Sequence, residues 1–173
     1  MNITIVNGTN RENSQSIKIS NAITLMIAEI GAKAKVVTLQ NFKDLFTGNY
    51  LTLENCNPLQ KKDLENIMNA KIVIFVVPTY HHGIPGSLKN FFDIIDYKTY
   101  NIYDKKVIGL VATSGNTNAI KQTRSIINGI LSYNKSISII PPKDAEIDLK
   151  NIDTQRLSEY LNYLTIFAKV FNP

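Results

Sequence analysis

The run Ile72-Val73-Ile74-Phe75-Val76-Val77 is apolar at every position and constrains the fold more than any other feature of the chain. A strand with one wet face alternates apolar and polar residues, whereas a β-branched run without alternation reads as a parallel strand buried on both faces. Helices must then cover the sheet above and below. At the C-terminal end of such a strand, where open α/β sheets bind ligands, the chain continues Pro78-Thr79-Tyr80-His81-His82-Gly83-Ile84-Pro85-Gly86-Ser87. Pro78 has no N–H and stops the strand, and Pro85 suits the first turn of a helix. Gly83 and Gly86 are expected to allow backbone conformations or close approaches that a Cβ would block. Leu88, Phe91, Phe92 and Ile95 then follow at i, i+3, i+4 and i+7, one buried helical face. Taken alone, the loop fits a flat-ligand platform and a plain β-to-α turn equally well.

The same alternation runs the length of the chain. Strands are expected over residues 3–6, 34–39, 71–77, 106–112 and 136–140, the last stopped by Pro141-Pro142. Between them lie helical patterns: Ile19, Ala22, Ile23, Met26, Ile27 and Ile30 closed by Gly31; a short helix over 60–69; the helix from about Gly86; and one marked by Ala119, Ile120, Thr123, Ile127, Ile130 and Leu131. A final helix from about Thr154 carries Leu157, Tyr160, Leu161, Leu164 and Ala168 on one face. Five β/α units in 173 residues imply one α/β domain over residues 1–173, a three-layer sandwich with a parallel sheet in the flavodoxin-like order 2-1-3-4-5. The long connection over residues 40–59 carries Phe42, Phe46 and Tyr50, which either cap a ligand or anchor the loop to its own domain.

Composition removes several classes. A hydrophobic content of 44% and a charged content of 19% exclude disorder as the main state. The N-terminus lacks a basic segment followed by a long apolar core, and no apolar run is long enough to span a bilayer, so a cytoplasmic protein without membrane contacts is expected. The net charge of +5 is spread over scattered lysines with no arginine-rich or aromatic-interleaved run, which gives no nucleic-acid signature and leaves room for an anionic small molecule. The single cysteine, Cys56, excludes an internal disulfide and reads as a plain thiol.

Chemistry is expected at the loops after strands one, three and four. The first, Asn7-Gly8-Thr9-Asn10-Arg11-Glu12-Asn13-Ser14-Gln15-Ser16, opens directly into a helix. Its hydroxyls, the cation of Arg11 and the free N–H groups of a helix N-terminus meet the needs of a phosphate, although Ser14 or Ser16 on its own fits simple N-capping. There is no GxxxxGK[ST] and no GxGxxG after the first strand, which disfavours a P-loop nucleotidase and a dinucleotide Rossmann site. The loop Ala112-Thr113-Ser114-Gly115-Asn116-Thr117 again ends a strand and caps a helix. His81 and His82 lack carboxylate or thiolate neighbours and make a poor metal site. Asp93 and Asp96 read as solvated charges rather than a catalytic pair.

These two motifs resemble those of the NADPH-dependent FMN reductase family, which includes quinone, chromate and azo-dye reductases. The first loop resembles the family's G-S-x-R-x-x-S-x-N and the second its P-E-Y-N-x-G-I-P-G-x-L-K-N-x-x-D, in order and at matching spacing along nearly the whole chain. The resemblance implies that Thr9, Arg11, Ser14 and Ser16 hold the FMN phosphate. It also implies that Pro78, Thr79, Tyr80, His81, His82 and Gly83 run along the flavin ring, and that Ser114, Gly115 and Asn116 close the far side. Thr9 and Ser16 replace serine and asparagine of the family pattern, Thr79 replaces glutamate, and His81 replaces asparagine.

The resemblance further implies an FMN-dependent enzyme that passes hydride from NADPH or NADH to a small acceptor (free flavin, a quinone or an azo compound) by a ping-pong scheme, as a homodimer or homotetramer. No protein residue is expected to act as a catalytic acid, base or nucleophile, since FMN carries the chemistry. Two alternatives stand beside it. A flavodoxin-type carrier would carry a T/S-x-T-G-x-T loop and an acidic surface, neither of which is present. An accessory protein that keeps the fold without the activity is compatible with the changes at Thr79 and His81.

Overall fold

The computed structural model describes residues 1–46, 50–95, 102–113, 117–133, 145–146 and 152–171. Five parallel strands, β1 (Asn2–Asn7), β2 (Lys33–Thr38), β3 (Ile72–Pro78), β4 (Val107–Thr113) and β5 (Ala145–Glu146), form one sheet in the order β2-β1-β3-β4-β5. The helices are α1 (Gln15–Glu29), α2 (Pro58–Met68), α3 (Gly86–Ile94), α4 (Thr117–Tyr133) and α5 (Thr154–Phe171), with a short 3₁₀ helix at Leu39–Phe42. The strand order is the flavodoxin-like one expected.

The fifth strand is described only at Ala145–Glu146. The pairing there is Ala145 with Val111 and Glu146 with Ala112. The strand expected over 136–140 and its stop at Pro141-Pro142 both fall outside the described residues.

All seven residues of β3 and all seven of β4 are buried. The two-residue period of β3 divides its side chains between two cores. Ile72, Ile74 and Val76 join Ile19, Ile23 and Ile27 of α1 and Leu157, Leu161 and Leu164 of α5. Val73, Phe75 and Val77 join Leu64 and Ile67 of α2, Leu88, Phe91 and Phe92 of α3, and Ile127 and Leu131 of α4. Tyr160 of α5 adds a polar tie, its hydroxyl accepting from the Leu110 N–H at 2.8 Å.

Local signals end the helices where expected. Beyond α1, Gly31 takes φ 72° and donates to Ala28 O at 3.0 Å, while Ala32 donates to Ile27 O at 3.1 Å, the double closure of a left-handed helix stop. Asn57 and Gln60 cap α2 reciprocally. Lys106, almost fully buried, donates through Nζ to Met68 O at 2.7 Å and Ala70 O at 2.9 Å at the other end of α2. Burial pushes its ammonium down to about 8, against the opposing pull of the Asp104 carboxylate.

Within the 40–59 connection the aromatics divide. Phe42 is buried edge-on against Phe91 with 4.9 Å between centroids, and Leu51 is buried where it bridges Ile95. The Asn90 side chain donates to Leu45 O at 2.6 Å. Phe46 and Tyr50 stay exposed, at 74% and 58%. The connection is thus anchored by apolar residues, and two of its rings remain free of the core.

Candidate functional site

β1 and β3 are adjacent and end at the same edge of the sheet, with Asn7 opposite Val76. The loops that leave them meet. Gly8 makes the first contact, its N–H donating to Val76 O at 2.8 Å. A Cβ on Gly8 would lie 2.9 Å from that same oxygen and 3.3 Å from both Val77 Cα and Leu88 Cδ2, so the backbones can approach this closely only with glycine here.

Thr9 is buried and its hydroxyl stands 3.1 Å from the Tyr80 hydroxyl, across the two loops. The Arg11 N–H donates to Thr9 Oγ1 at 3.2 Å, and the exposed guanidinium of Arg11 lies 5.0 Å from the centroid of the Tyr80 ring. Of the residues expected in the site, Thr9, Arg11 and Tyr80 are therefore brought together by direct contact.

Ser14 is the N-cap of α1, its hydroxyl accepting from the Ile17 N–H at 3.3 Å. The capping role weighed for it is the one it performs here. Ser16, on the first turn of α1, is buried, and its hydroxyl has no hydrogen-bond partner among the described residues. No acidic residue stands in that first turn. A buried orphan hydroxyl is costly unless something fills its hydrogen bond, and an acid-free helix start favours an anion.

Pro78 closes β3 opposite Thr113 of β4. Residues 80–83 then form a tight turn: the Tyr80 N–H donates to Gly83 O and the Gly83 N–H to Tyr80 O, each at 3.0 Å. His81 and His82 occupy its two central positions with φ 49° and 63°. This corrects the expectation for the glycines. The left-handed positions belong to the histidines, where an Asn-Gly pair is the favoured choice, at a cost on the order of 1–3 kcal/mol each. Gly83 and Gly86 have ordinary φ, and a Cβ on them would meet, respectively, only Tyr80 O at 3.8 Å and nothing within 4 Å. Among the described residues nothing requires glycine at either position, and a Cβ on Gly86 would meet open space.

Thr79 is half-buried, and His81 and His82 are exposed. Ser114, Gly115 and Asn116 lie outside the described residues. Asp93 is bound by Lys89 at 2.6 Å on the surface of α3, and Asp96 lies outside the described residues. Cys56 donates to Leu53 O, and burial pushes its thiol up, away from the reactive thiolate.

Two residues at this edge were not singled out from the sequence. Asn7 is buried at the end of β1; its Nδ2 donates to Thr9 O at 3.2 Å while Oδ1 has no partner among the described residues. Thr113 ends β4 with a buried hydroxyl that is likewise unpartnered among them. A polar residue closing an apolar strand is the signal that would have found both.

Two clefts open beside the first loop. One, of about 410 Å³, lies between it and the end of β2 and is lined by Asn7, Asn10, Arg11, Glu12, Asn13, Thr38 and Gln40 among others. The other, of about 360 Å³, lies between Asn10, the 3₁₀ helix and the start of α3. Neither is lined by residues 78–83.

A parallel sheet of this order, with polar loops meeting at its C-terminal edge, defines a flavodoxin-like protein, and solved structures agree. An NADH:FMN oxidoreductase (EMOB) in its apo form is similar over 98% of this chain and 89% of its own, at 18% identity and a TM-score of 0.72. An NAD(P)H:quinone oxidoreductase from Methanothermobacter marburgensis is similar over 100% and 96%, at 16% identity and 0.66. Oxidised flavodoxin 1 from Bacillus cereus is similar over 98% and 98%, at 10% identity and 0.61. At these identities the likeness establishes the fold. The family follows from the sequence itself: the NADPH-dependent FMN reductase model matches residues 1–140, and the chain belongs to that family. It is thus an oxidoreductase of the class that works with FMN and takes NAD(P)H as co-substrate. Among the described residues no helix is long and apolar enough to cross a membrane.

Proposed function

We propose that this chain is an FMN-dependent NAD(P)H oxidoreductase that works by a ping-pong scheme on small acceptors: free flavin, quinones or azo compounds. The observation that carries this reading is the link through Thr9, Arg11 and Tyr80, which locks the loop after β1 to the loop after β3. The residues present fit the cofactor. The orphan Ser16 hydroxyl, the acid-free start of α1 and the exposed Arg11 cation suit a phosphate, and Gly83, where a Cβ would meet only Tyr80 O at 3.8 Å, leaves room for a flat ring.

In this reading Thr9, Arg11, Ser14 and Ser16 hold the phosphate end. Arg11 supplies the charge, and Ser14 keeps α1 in register so that its first N–H groups face the anion. Pro78, Thr79, Tyr80, His81, His82 and Gly83 border the ring, and Ser114, Gly115 and Asn116 bound it on the side of β4. Bound FMN supplies the hydride and electron chemistry, so the chain needs only to bind, orient and exclude water. Residues 1–173 act as a single FMN-binding domain in the cytoplasm. Self-association into a homodimer or homotetramer belongs to the same reading and is the assembly that the family resemblance implies.

Steady-state kinetics test the scheme. Rates measured against both substrates are expected to give parallel double-reciprocal lines, because the nicotinamide leaves before the acceptor enters. Intersecting lines would contradict the ping-pong order.

A further inference from the structure

The sheet order puts β2 and β3 on opposite sides of β1, and two neighbouring charges on the loop after β1 divide between them. Arg11 leans to the β3 side, its guanidinium 5.0 Å from the Tyr80 centroid. Glu12 leans to the β2 side, where its carboxylate accepts from Gln40 Nε2 at 3.3 Å. The 410 Å³ cleft between this loop and the end of β2 therefore carries a tethered carboxylate, with the cation assigned to the phosphate standing at its border. The rest of its polar lining is neutral, made of amides and the Thr38 hydroxyl. The Asn41 wall is fixed: its Nδ2 donates to Asp63 Oδ2 at 2.7 Å, and its carbonyl accepts from Gln60 Nε2 at 2.9 Å. Asn7, also in the lining, is buried, and its Oδ1 is an acceptor with no donor among the described residues. The volume falls in the range of about 300–1,000 Å³ typical of small-molecule sites.

We infer that this cleft seats the adenosine end of the nicotinamide co-substrate, and that Glu12 makes the protein select NADH over NADPH. The assignment deepens the proposed function and rests on it. The adenosine end takes no part in hydride transfer, so its site need not touch residues 78–83, but it must lie where a cation can meet the pyrophosphate, and Arg11 borders the cleft. Adenine offers an amino donor and ring-nitrogen acceptors, which amide side chains match in pairs. The ribose of NADH presents two vicinal hydroxyls as donors, and a carboxylate, an acceptor only, takes both. NADPH carries a phosphate in place of the 2′-hydroxyl. It loses one of those donors and sets like charge against Glu12, which Gln40 orients without neutralising. Because Glu12 is exposed, solvent screening keeps the discrimination to about tenfold.

The test is calorimetric titration of the FMN-loaded protein with NAD⁺ and with NADP⁺, which differ only in the 2′-phosphate and leave the flavin oxidised. The wild type is expected to bind NAD⁺ about tenfold more tightly than NADP⁺, and 5′-AMP is expected to displace NAD⁺. Glu12→Gln is expected to weaken NAD⁺ about fivefold and to leave a preference of about twofold or less, and Glu12→Lys to reverse the preference. The ratio of kcat/KM for NADH to that for NADPH is expected to follow the same order across the three proteins. Glu12 is exposed, a far-ultraviolet spectrum checks that each variant folds, and a flavin fluorescence titration checks that the phosphate loop is intact. Equal affinities in the wild type, a preference for NADP⁺, or a ratio unchanged in Glu12→Gln would overturn the assignment. So would a loss of FMN affinity in Glu12→Gln as large as the loss of NAD⁺ affinity, which would put Glu12 in the flavin site. Failure of NADH and NADPH to reduce the wild-type flavin would instead defeat the reductase reading, and the calorimetric titrations still decide the cleft.

Discussion

An Arg11→Ala variant is expected to bind FMN roughly 10- to 100-fold more weakly, while riboflavin, which lacks the phosphate, loses only a few-fold. Hydrogen bonds to a charged group contribute about 1.5–3 kcal/mol, which sets the larger figure. The smaller figure comes from the geometry: the guanidinium lies 5.0 Å from the Tyr80 centroid, and an exposed contact of that kind contributes about 0.5–1 kcal/mol. Its loss loosens the loop after β3 and therefore reaches the ring end of either flavin. Fluorescence titration with the two flavins reads the difference directly. Equal losses would place Arg11 outside the phosphate site.

Gly8→Ala is expected to destabilise the protein by about 1–3 kcal/mol, the scale of an overpacked interior. The added carbon would meet Val76 O at 2.9 Å, and that oxygen belongs to a fully buried central strand which cannot yield cheaply. Relief must come from the loop, which would move Thr9 off Tyr80, so FMN affinity is expected to fall with stability. Gly83→Ala is the matched control. It adds the same carbon 3.8 Å from its nearest neighbour and is expected to change stability by less than about 0.5 kcal/mol. Urea unfolding of the two variants side by side checks the contrast, and similar stabilities for both would contradict the close approach assigned to Gly8.

The sheet was legible because burial on both faces leaves a strong mark. The apolar runs of β3 and β4 could be placed to within a residue, and the 3.6-residue periods of α1, α3 and α5 identified the faces that enter the two cores. The meeting of Thr9, Arg11 and Tyr80 at one sheet edge was legible for a different reason, since a hydroxyl-rich segment opening into a helix carries its chemistry in its residue types. Backbone conformation was not legible in the same way. His81 and His82 hold left-handed positions that residue type assigns to glycine, and Gly83 next to them does not. Composition also could not separate Phe42 from Phe46 and Tyr50 in the 40–59 connection, because only the neighbouring helix decides which ring is covered. Asn7 went unremarked because its importance lies in an unfilled hydrogen bond, a property of three-dimensional surroundings.

The most direct test of the account is an anaerobic titration of the FMN-loaded protein with NADH and with NADPH, followed in the visible spectrum. The account predicts that at least one of the two bleaches the flavin absorbance and that a quinone or free flavin added afterwards restores it. A spectrum that stays oxidised with both nicotinamides would contradict the account and leave the chain as a carrier that needs a separate reductase.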